Sequence, residues 1–181
     1  HTNVFPAIRK MENDIVKMMI HLFQGNDSAC GTFTSGGTES ILLACKTYRD
    51  KYQLNNPNII VSSTAHCAFK KACQYFKIEY LEIPCLPNGL FDTKILQNTI
   101  NKNTILVVAS APSYNLGLID PIEQIAKITT KYDIGLHVDC CMGAFLINFM
   151  NQFDGFKTKG VTSISADIHK YGNSPKGAST I

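Results

Sequence analysis

Short apolar segments alternate with amphipathic segments along most of this 181-residue chain. Residues 6 to 24 are predicted to form the first helix, because apolar side chains recur there at helical spacing and Pro6 suits the first helical position. A short strand is predicted over residues 29–34, and the glycine turn at 35–40 leads into a second helix.

From residue 58 onward, predicted strands and helices follow one another in turn. The strands are predicted at 59–62, 78–83, 104–110, 134–139 and 161–165, with helices at 66–76, 93–100 and 121–132 and the beginning of a further strand at 177–181. Residues 105–109 are apolar without alternation, as expected of a central strand buried on both faces. This order predicts one α/β domain with a mostly parallel sheet flanked by helices.

Composition excludes several classes of function. The chain is 45% hydrophobic and 17% charged with a net charge of +3, and its basic residues are scattered, which argues against a nucleic-acid partner. The longest apolar runs are far too short to cross a membrane. Seven cysteines without a C-x-x-C pair argue against a disulfide framework or a metal site and favour a reducing compartment.

Several polar residues are predicted at strand ends, where ligands of open α/β sheets bind. Gly36, Gly37 and Thr38 open a helix, where free N–H groups and the helix dipole favour a phosphate; a plain strand-to-helix turn is the alternative. His66 follows a strand and could either lie flat on an aromatic cofactor or cap a helix.

The last third of the chain adds an acid and two lysines. Asp139 ends an apolar strand and must meet a cation, either a pyridinium or a lysine or arginine of the protein itself. Lys170 lies beside His169, and a lysine near a phosphate and a pyridinium is expected to have a lowered pKa, which favours Schiff-base chemistry. Lys176 is either a second functional cation or a solvated loop residue.

These groups together form the set that a pyridoxal phosphate site requires. Such a site needs a phosphate turn, a ring-stacking histidine, an acid for the pyridine nitrogen and a lysine for the aldehyde. Each is present here in one α/β domain, so the sequence predicts a fold-type I pyridoxal phosphate domain.

Longer strings carry a family resemblance. The segments Thr34–Leu42 (T-S-G-G-T-E-S-I-L), Gly160–Asp167 (G-V-T-S-I-S-A-D) and His169–Gly172 (H-K-Y-G) resemble the sphingosine-1-phosphate lyases, within the group II pyridoxal-phosphate-dependent decarboxylases. The resemblance covers nearly the whole chain. The short T-S-G-G-T-E-S and H-K elements are also similar to decarboxylases of glutamate, tyrosine and other amino acids.

The resemblance implies a role for each candidate. Lys170 would bind the cofactor aldehyde and Asp139 its pyridine nitrogen, while His66 would stack on the ring. Gly37, Thr38 and His169 would hold the cofactor phosphate, and Lys176 would act near the substrate, so that Lys170, His66 and Lys176 form the catalytic set.

The activity that the resemblance implies is cleavage of sphingosine 1-phosphate, or another phosphorylated sphingoid base, into a long-chain aldehyde and phosphoethanolamine. An amino-acid decarboxylase and a catalytically incomplete piece are the alternatives. The chain departs from the lyase pattern at Asn173–Ser174 and at Tyr114–Leu116, which lie on the substrate side.

The resemblance also implies a setting. Residues 1–181 would be the pyridoxal-phosphate-binding large domain of a longer protein, without its amino-terminal segment and its carboxyl-terminal small domain. A homodimer with a shared active site is expected. The location would be the endoplasmic reticulum membrane in a eukaryote, and the cytoplasm or a secreted effector in a bacterium, with membrane contact only through the missing amino-terminal segment or the lipid substrate.

Overall fold

A computed structural model describes residues 4–181 of the chain, and it contains a seven-stranded sheet with helices on both faces. The strands are β1 Phe33–Thr34, β2 Asn58–Ser62, β3 Glu79–Ile83, β4 Thr104–Ser110, β5 Gly135–Asp139, β6 Ser163–Asp167 and β7 Ser179–Thr180. The helices are α1 Pro6–Leu22, α2 Gly37–Tyr52, α3 Ala68–Phe76, α4 Thr93–Thr99, α5 Ile122–Lys131 and α6 Ala144–Ile147, with a 3-10 turn at Gly155–Lys157.

The strand order is β1-β7-β6-β5-β4-β2-β3. The strands β2 to β6 run parallel, and β7 is antiparallel to both of its neighbours, β6 and β1. This arrangement confirms the predicted fold class, a mostly parallel sheet flanked by helices. The chain moves outward from β2 to β3, returns past β2 to β4, and then continues through β5 and β6 in the other direction. Such a reversal opens a crevice at the carboxyl ends of the central strands.

The two faces of the sheet differ in polarity. On one face, apolar side chains of β4, β5 and β6 pack in a core with α5 and α6. On the face covered by α2 and α3, the side chains of β2 and β4 are apolar, whereas β5 and β6 carry polar residues next to Tyr48 and Phe69. Register pairs His137 with Ser163 and Asp139 with Ser165, so this polar stripe crosses two strands and leads to their carboxyl ends.

Element boundaries differ from the predictions at functionally important places. The strand predicted at 29–34 is only the two residues of β1, and α3 begins at Ala68 rather than His66. The strand predicted at 161–165 lies two residues later, because β6 pairs with β5 from Ser163 onward. Asp167 is therefore the last residue of a strand. Among the described residues, no helix has both the length and the apolar character needed to cross a bilayer.

Candidate cofactor site at the carboxyl edge of the sheet

A cavity of about 540 Å³ lies at the carboxyl ends of β4, β5 and β6. All seven residues predicted from the sequence line it, namely Gly37, Thr38, His66, Asp139, His169, Lys170 and Lys176. They come from segments up to 139 positions apart, counted from Gly37 to Lys176. The sheet therefore assembles in one place what the sequence presents as separate signals.

The amino terminus of α2 forms one wall of this cavity. Gly36 has a φ of +152°, which a residue with a side chain rarely adopts, and a Cβ built on it would have no neighbour closer than 3.9 Å, at His169. A Cβ on Gly37 would lie 2.9 Å from both Asp167 Oδ1 and Cys141 Sγ. The first glycine thus leaves open space in front of the helix, and the second allows the helix to approach the ends of β5 and β6.

Ser35, beside this turn, is already engaged. Its backbone N–H and its hydroxyl both donate to Glu39 Oε2, each at 2.6 Å. The hydrogen bond from the Ser35 hydroxyl, together with that from its N–H, lowers the pKa of Glu39. Glu39 therefore holds the turn in shape, and the exposed Thr38 is the hydroxyl of the turn that is left for a ligand.

Asp139 ends β5 and is 8% exposed. Its Oδ1 accepts a hydrogen bond from the Cys141 N–H at 3.0 Å, and within residues 4–181 it makes no ion pair. Burial raises the pKa of Asp139. Hydrogen bonds from the backbone and the side chain of Cys141, and electrostatic interactions with His66 and Lys170, oppose the rise. The internal salt bridge considered as an alternative is absent from the described residues, so a cationic ligand would relieve the cost of burying this carboxylate.

His137 lies behind Asp139 and is fully buried. Its Nδ1 is 2.8 Å from Ser163 Oγ, and its Nε2 is 3.1 Å from Ser165 Oγ. Burial lowers the pKa of His137 to about 3, so the ring is neutral at physiological pH. Both ring nitrogens are engaged inside the protein, and His137 therefore supports the site from behind rather than lining it.

Lys170 follows β6, and its ion-pair partner is Asp167, which the sequence reasoning did not name as a candidate. Its Nζ lies 2.9 Å from Oδ2 of Asp167, a residue that is 2% exposed. Partial burial on its own lowers the pKa of Lys170, but the hydrogen bond and charge of Asp167 outweigh burial and raise the pKa above its usual value. The lowered pKa expected of Lys170 beside a phosphate and a pyridinium stays a prediction, whereas the protein's own groups raise this pKa through Asp167, a buried carboxylate that was not foreseen.

His66 and Tyr114 form the side of the cavity above β2. The Ala68 N–H donates to His66 Nδ1 at 3.2 Å, which places the proton of the neutral ring on Nε2. The Tyr114 ring meets His66 edge-on, with 5.4 Å between centroids. The two readings of His66 are therefore compatible, since the residue bonds the start of α3 with one nitrogen and lines the cavity with its ring.

His169 and Lys176 complete the opposite side. His169 Nδ1 donates to the Ala178 carbonyl at 2.7 Å, and its Nε2 is 3.6 Å from Asp167 Oδ2. Lys176 is exposed on the loop between Pro175 and Gly177 and borders the cavity. His169 is thus held near the turn Gly36–Thr38, while Lys176 forms no ion pair within the described residues.

Asp167 and Cys141 are two buried titratable residues of the cavity that the sequence reasoning missed. The alternation Ser163, Ser165, Asp167 places these polar residues on one face of a strand, and that signal was available. It was lost because the strand was predicted to end at Ser165. Cys141 gave no comparable signal, since a lone buried cysteine is usually a small packing residue.

Comparison with known proteins places the chain in a family. The family model described as the pyridoxal-dependent decarboxylase conserved domain matches residues 1–181. The chain belongs to this family.

Individual members of the pyridoxal-dependent decarboxylase family are similar over the whole chain. The sphingosine-1-phosphate lyase of Drosophila melanogaster is 48% identical and sphingosine-1-phosphate lyase 1 of Rattus norvegicus is 46% identical, each over 100% of this chain and over 35% and 34% of its own length. The structure of the Burkholderia pseudomallei sphingosine-1-phosphate lyase is 36% identical with a TM-score of 0.92, covering 98% of this chain and 45% of that one. The chain therefore spans about a third of the length of these curated relatives.

Pyridoxal phosphate is the cofactor of this family, and the residues of the cavity fit it. The volume lies in the range of small-molecule sites. The open space at Gly36 faces a helix amino terminus, where a phosphate is favoured. Asp139 is a buried acid that makes no ion pair with any of residues 4–181, as suits a protonated ring nitrogen, and Lys170 supplies a primary amine in the same cavity.

Proposed function

We propose that the protein containing this chain is a pyridoxal-phosphate-dependent aldehyde-lyase that cleaves phosphorylated sphingoid bases, sphingosine 1-phosphate among them, into a long-chain aldehyde and phosphoethanolamine. The observation that carries the cofactor chemistry is the meeting of Asp139, Lys170 and the α2 amino terminus in one cavity. The substrate class rests on the similarity, along the whole chain, to proteins named sphingosine-1-phosphate lyases.

Lys170 and Asp139 would perform the central tasks. When bound, pyridoxal phosphate supplies an aldehyde that captures amines and a ring that accepts the electron pair of the broken bond. Lys170 would hold the cofactor through Nζ and would take up and release a proton at that atom as the substrate amine replaces it. Asp139 would keep a proton on the facing ring nitrogen, since its buried carboxylate is stabilised by a positive partner.

The remaining candidates would bind and orient. Gly37 and Thr38 would offer the N–H groups of the α2 amino terminus to the phosphate, and His169 would add an imidazole from the other side. His66 would lie against the ring, held in orientation by the Ala68 N–H that donates to its Nδ1. These roles are supported by the position of each side chain around the one cavity.

Lys176 would face the substrate at the rim. An exposed ammonium beside the cavity mouth suits the phosphate of a sphingoid base, because it is close to the site and forms no ion pair with another of residues 4–181. As the substrate is a lipid, we expect the protein to work at or near a membrane surface, and the location inferred from the resemblance stays a prediction.

Residues 1–181 would be the cofactor-binding large domain of a homodimer. The helix α1 exposes Ile8, Met11 and Met18 along its length, and such apolar surface supports a role in contact with a partner. The small domain and the second subunit would complete the site in the whole protein.

The test is direct. Purified full-length protein is incubated with sphingosine 1-phosphate, and long-chain aldehyde and phosphoethanolamine are measured by mass spectrometry. The Lys170→Ala variant should lose both products together with the visible absorbance of the protein-bound cofactor. Release of carbon dioxide from glutamate or tyrosine, without aldehyde from the lipid, would assign the protein to the amino-acid decarboxylases instead.

A further inference from the structure

Asp167 is a buried carboxylate in the cavity for which the functional proposal has no use. It ends β6 and is 2% exposed. Its Oδ2 contacts Lys170 Nζ at 2.9 Å, and its Oδ1 has no hydrogen-bond partner among the described residues. A Cβ added to Gly37 would lie 2.9 Å from this Oδ1, so the carboxylate lies directly beside the turn that opens α2.

Asp167 is therefore a carboxylate that lies beside the turn Gly36–Thr38. The amino terminus of α2 favours negative charge, and Lys170 and His169 both face Oδ2, at 2.9 Å and 3.6 Å. Asp167 thus lies beside the same helix amino terminus and the same imidazole that would hold a cofactor phosphate. Its carboxylate meets the Lys170 ammonium there.

We propose that Asp167 is a positioning residue for Lys170: its carboxylate holds the Lys170 side chain in the ammonium form beside the phosphate turn, and this ion pair must open before Lys170 captures the cofactor aldehyde. The proposal deepens the proposed function and rests on the cofactor role of Lys170. An ammonium has no free electron pair, so Lys170 is unreactive toward an aldehyde until it loses a proton.

Other charged groups around Lys170 act less directly. Asp139 and Cys141 face it from the end of β5, and both raise its pKa less than Asp167 does. The remaining titratable groups that line the same cavity are Glu39, His66, Tyr114, His169 and Lys176. None of these remaining groups makes an ion pair with Lys170 within the described residues, whereas Asp167 does. The reactivity of Lys170 is therefore expected to follow the charge of Asp167.

The experiment measures how the reactivity of Lys170 depends on pH in full-length protein freed of cofactor. Trace labelling with acetic anhydride, from about pH 7 to about pH 11, brackets the ordinary lysine pKa. The Nζ electron pair attacks an acyl carbon, an N–C bond forms, acetate leaves and the Nζ proton passes to water. Peptide mass spectrometry quantifies Lys170, with the exposed Lys102 as internal reference.

Asp167→Asn keeps the size of the side chain and removes its charge. It should lower the labelling midpoint of Lys170 by about one to three pH units, the range expected on losing a close opposite charge. Asp167→Glu should restore most of the shift. The control is Asp50→Asn, which makes the same chemical change in an exposed i,i+4 pair with Lys46 and should leave Lys170 unchanged. An unchanged or raised midpoint in Asp167→Asn would overturn the proposal.

Circular dichroism shows whether the Asp167→Asn variant folds. If it does not, a second comparison uses the unaltered protein. In the unaltered protein, the Lys170 midpoint should be higher in the folded state than in urea, and an equal or lower value would overturn the proposal. Neither readout requires turnover, so the result is independent of whether the protein is a lyase.

Cofactor uptake gives a third readout. The folded Asp167→Asn variant should bind pyridoxal phosphate faster near neutral pH, by about tenfold for each pH unit that the midpoint falls. The visible absorbance of the bound cofactor follows this rate. Slower uptake with a lowered midpoint would contradict the requirement that the ion pair open first.

Discussion

The floor of the cavity and its rim are built on different principles. The floor carries Asp139 and Asp167, which are buried at strand ends, and His137 supports it from behind through hydrogen bonds to two serines of the neighbouring strand. The rim carries Tyr114 and Lys176, both exposed on loops. Under the proposed function, the acids that face the cofactor would be preorganised by the sheet, while the groups that face the substrate would depend on loops and on the rest of the protein.

Among the cavity residues, Asp139 is expected to give the largest effect on turnover, because it belongs to the buried floor. We expect Asp139→Asn to lower turnover of the full-length protein by about 10²- to 10⁴-fold, the range for a residue that holds a proton in the reaction, while the cofactor stays bound. Turnover is measured as aldehyde release, and cofactor retention by visible absorbance. The control Asp133→Asn changes an exposed residue whose positive φ of 53° suits asparagine. Near-normal turnover in Asp139→Asn would remove the residue from the pyridinium role.

A substitution of His137 tests whether its hydrogen bonds to Ser163 and Ser165 stabilise the floor of the cavity. His137→Ala leaves a cavity and strips two serine hydroxyls of a partner, so we expect a loss of about 2–5 kcal/mol in the free energy of unfolding. Denaturant titration followed by circular dichroism measures this loss. The control is Leu136→Ala, because Leu136 is equally buried in the same strand and points to the opposite face of the sheet.

The variants His137→Ala and Leu136→Ala are expected to differ in how their free energy of unfolding depends on pH. The folded pKa of His137 is lowered to about 3, below the unfolded value near 6.5. The unfolded state therefore binds a proton that the folded state does not, and stability present above about pH 6.5 is lost as the pH falls toward about 3. Asp120 contributes with the opposite sign, since burial raises its pKa to about 6, but it is common to all variants. His137→Ala should flatten the curve and Leu136→Ala should not; parallel curves would contradict a buried neutral imidazole.

Lys176 should give the smallest effect, because it belongs to the rim. Lys176→Gln is expected to raise the KM for the phosphorylated substrate by about tenfold, in keeping with the loss of one charge-assisted hydrogen bond, with kcat and cofactor binding little changed. The exposed Lys159, outside the cavity, provides the control Lys159→Gln. A large fall in kcat instead would move Lys176 from the rim to the reacting groups.

Much of the fold was predictable because its signals are local. The strand β4 was predicted with the bounds it has, since residues 105–109 form an unbroken apolar run within its seven buried residues. The helix α5 was predicted to within a residue at each end, because its apolar face repeats clearly. The strand β1 was overestimated and the four-residue helix α6 was not predicted, since elements this short take their form from tertiary contacts rather than from periodicity.

The candidate site was predictable as a set of residues, but not as a set of partners. Chain pattern and resemblance named Gly37, His66, Asp139 and Lys170, and the structure places all four around one cavity. The same reasoning assigned Asp139 to the ring nitrogen and Lys170 to the aldehyde of a cofactor, and it named no partner for Lys170 within the protein. In the structure Lys170 forms an ion pair with Asp167.

The sequence by itself determined the alternation of strands and helices and the glycine turn, because each depends on residues that are close along the chain, and the candidate cofactor groups were named from chain pattern and family resemblance. Only the tertiary structure decided which groups lie behind Asp139 and where the rim is open. The groups behind Asp139 depend on the register between β5 and β6, which brings together residues 26 to 28 positions apart, such as His137 with Ser163 and Ser165. Asp167 and Lys170 are only three positions apart, and their ion pair was missed because β6 was predicted to end at Ser165. Register is a property of packing between strands, and a two-residue error in a strand end was enough to conceal Asp167.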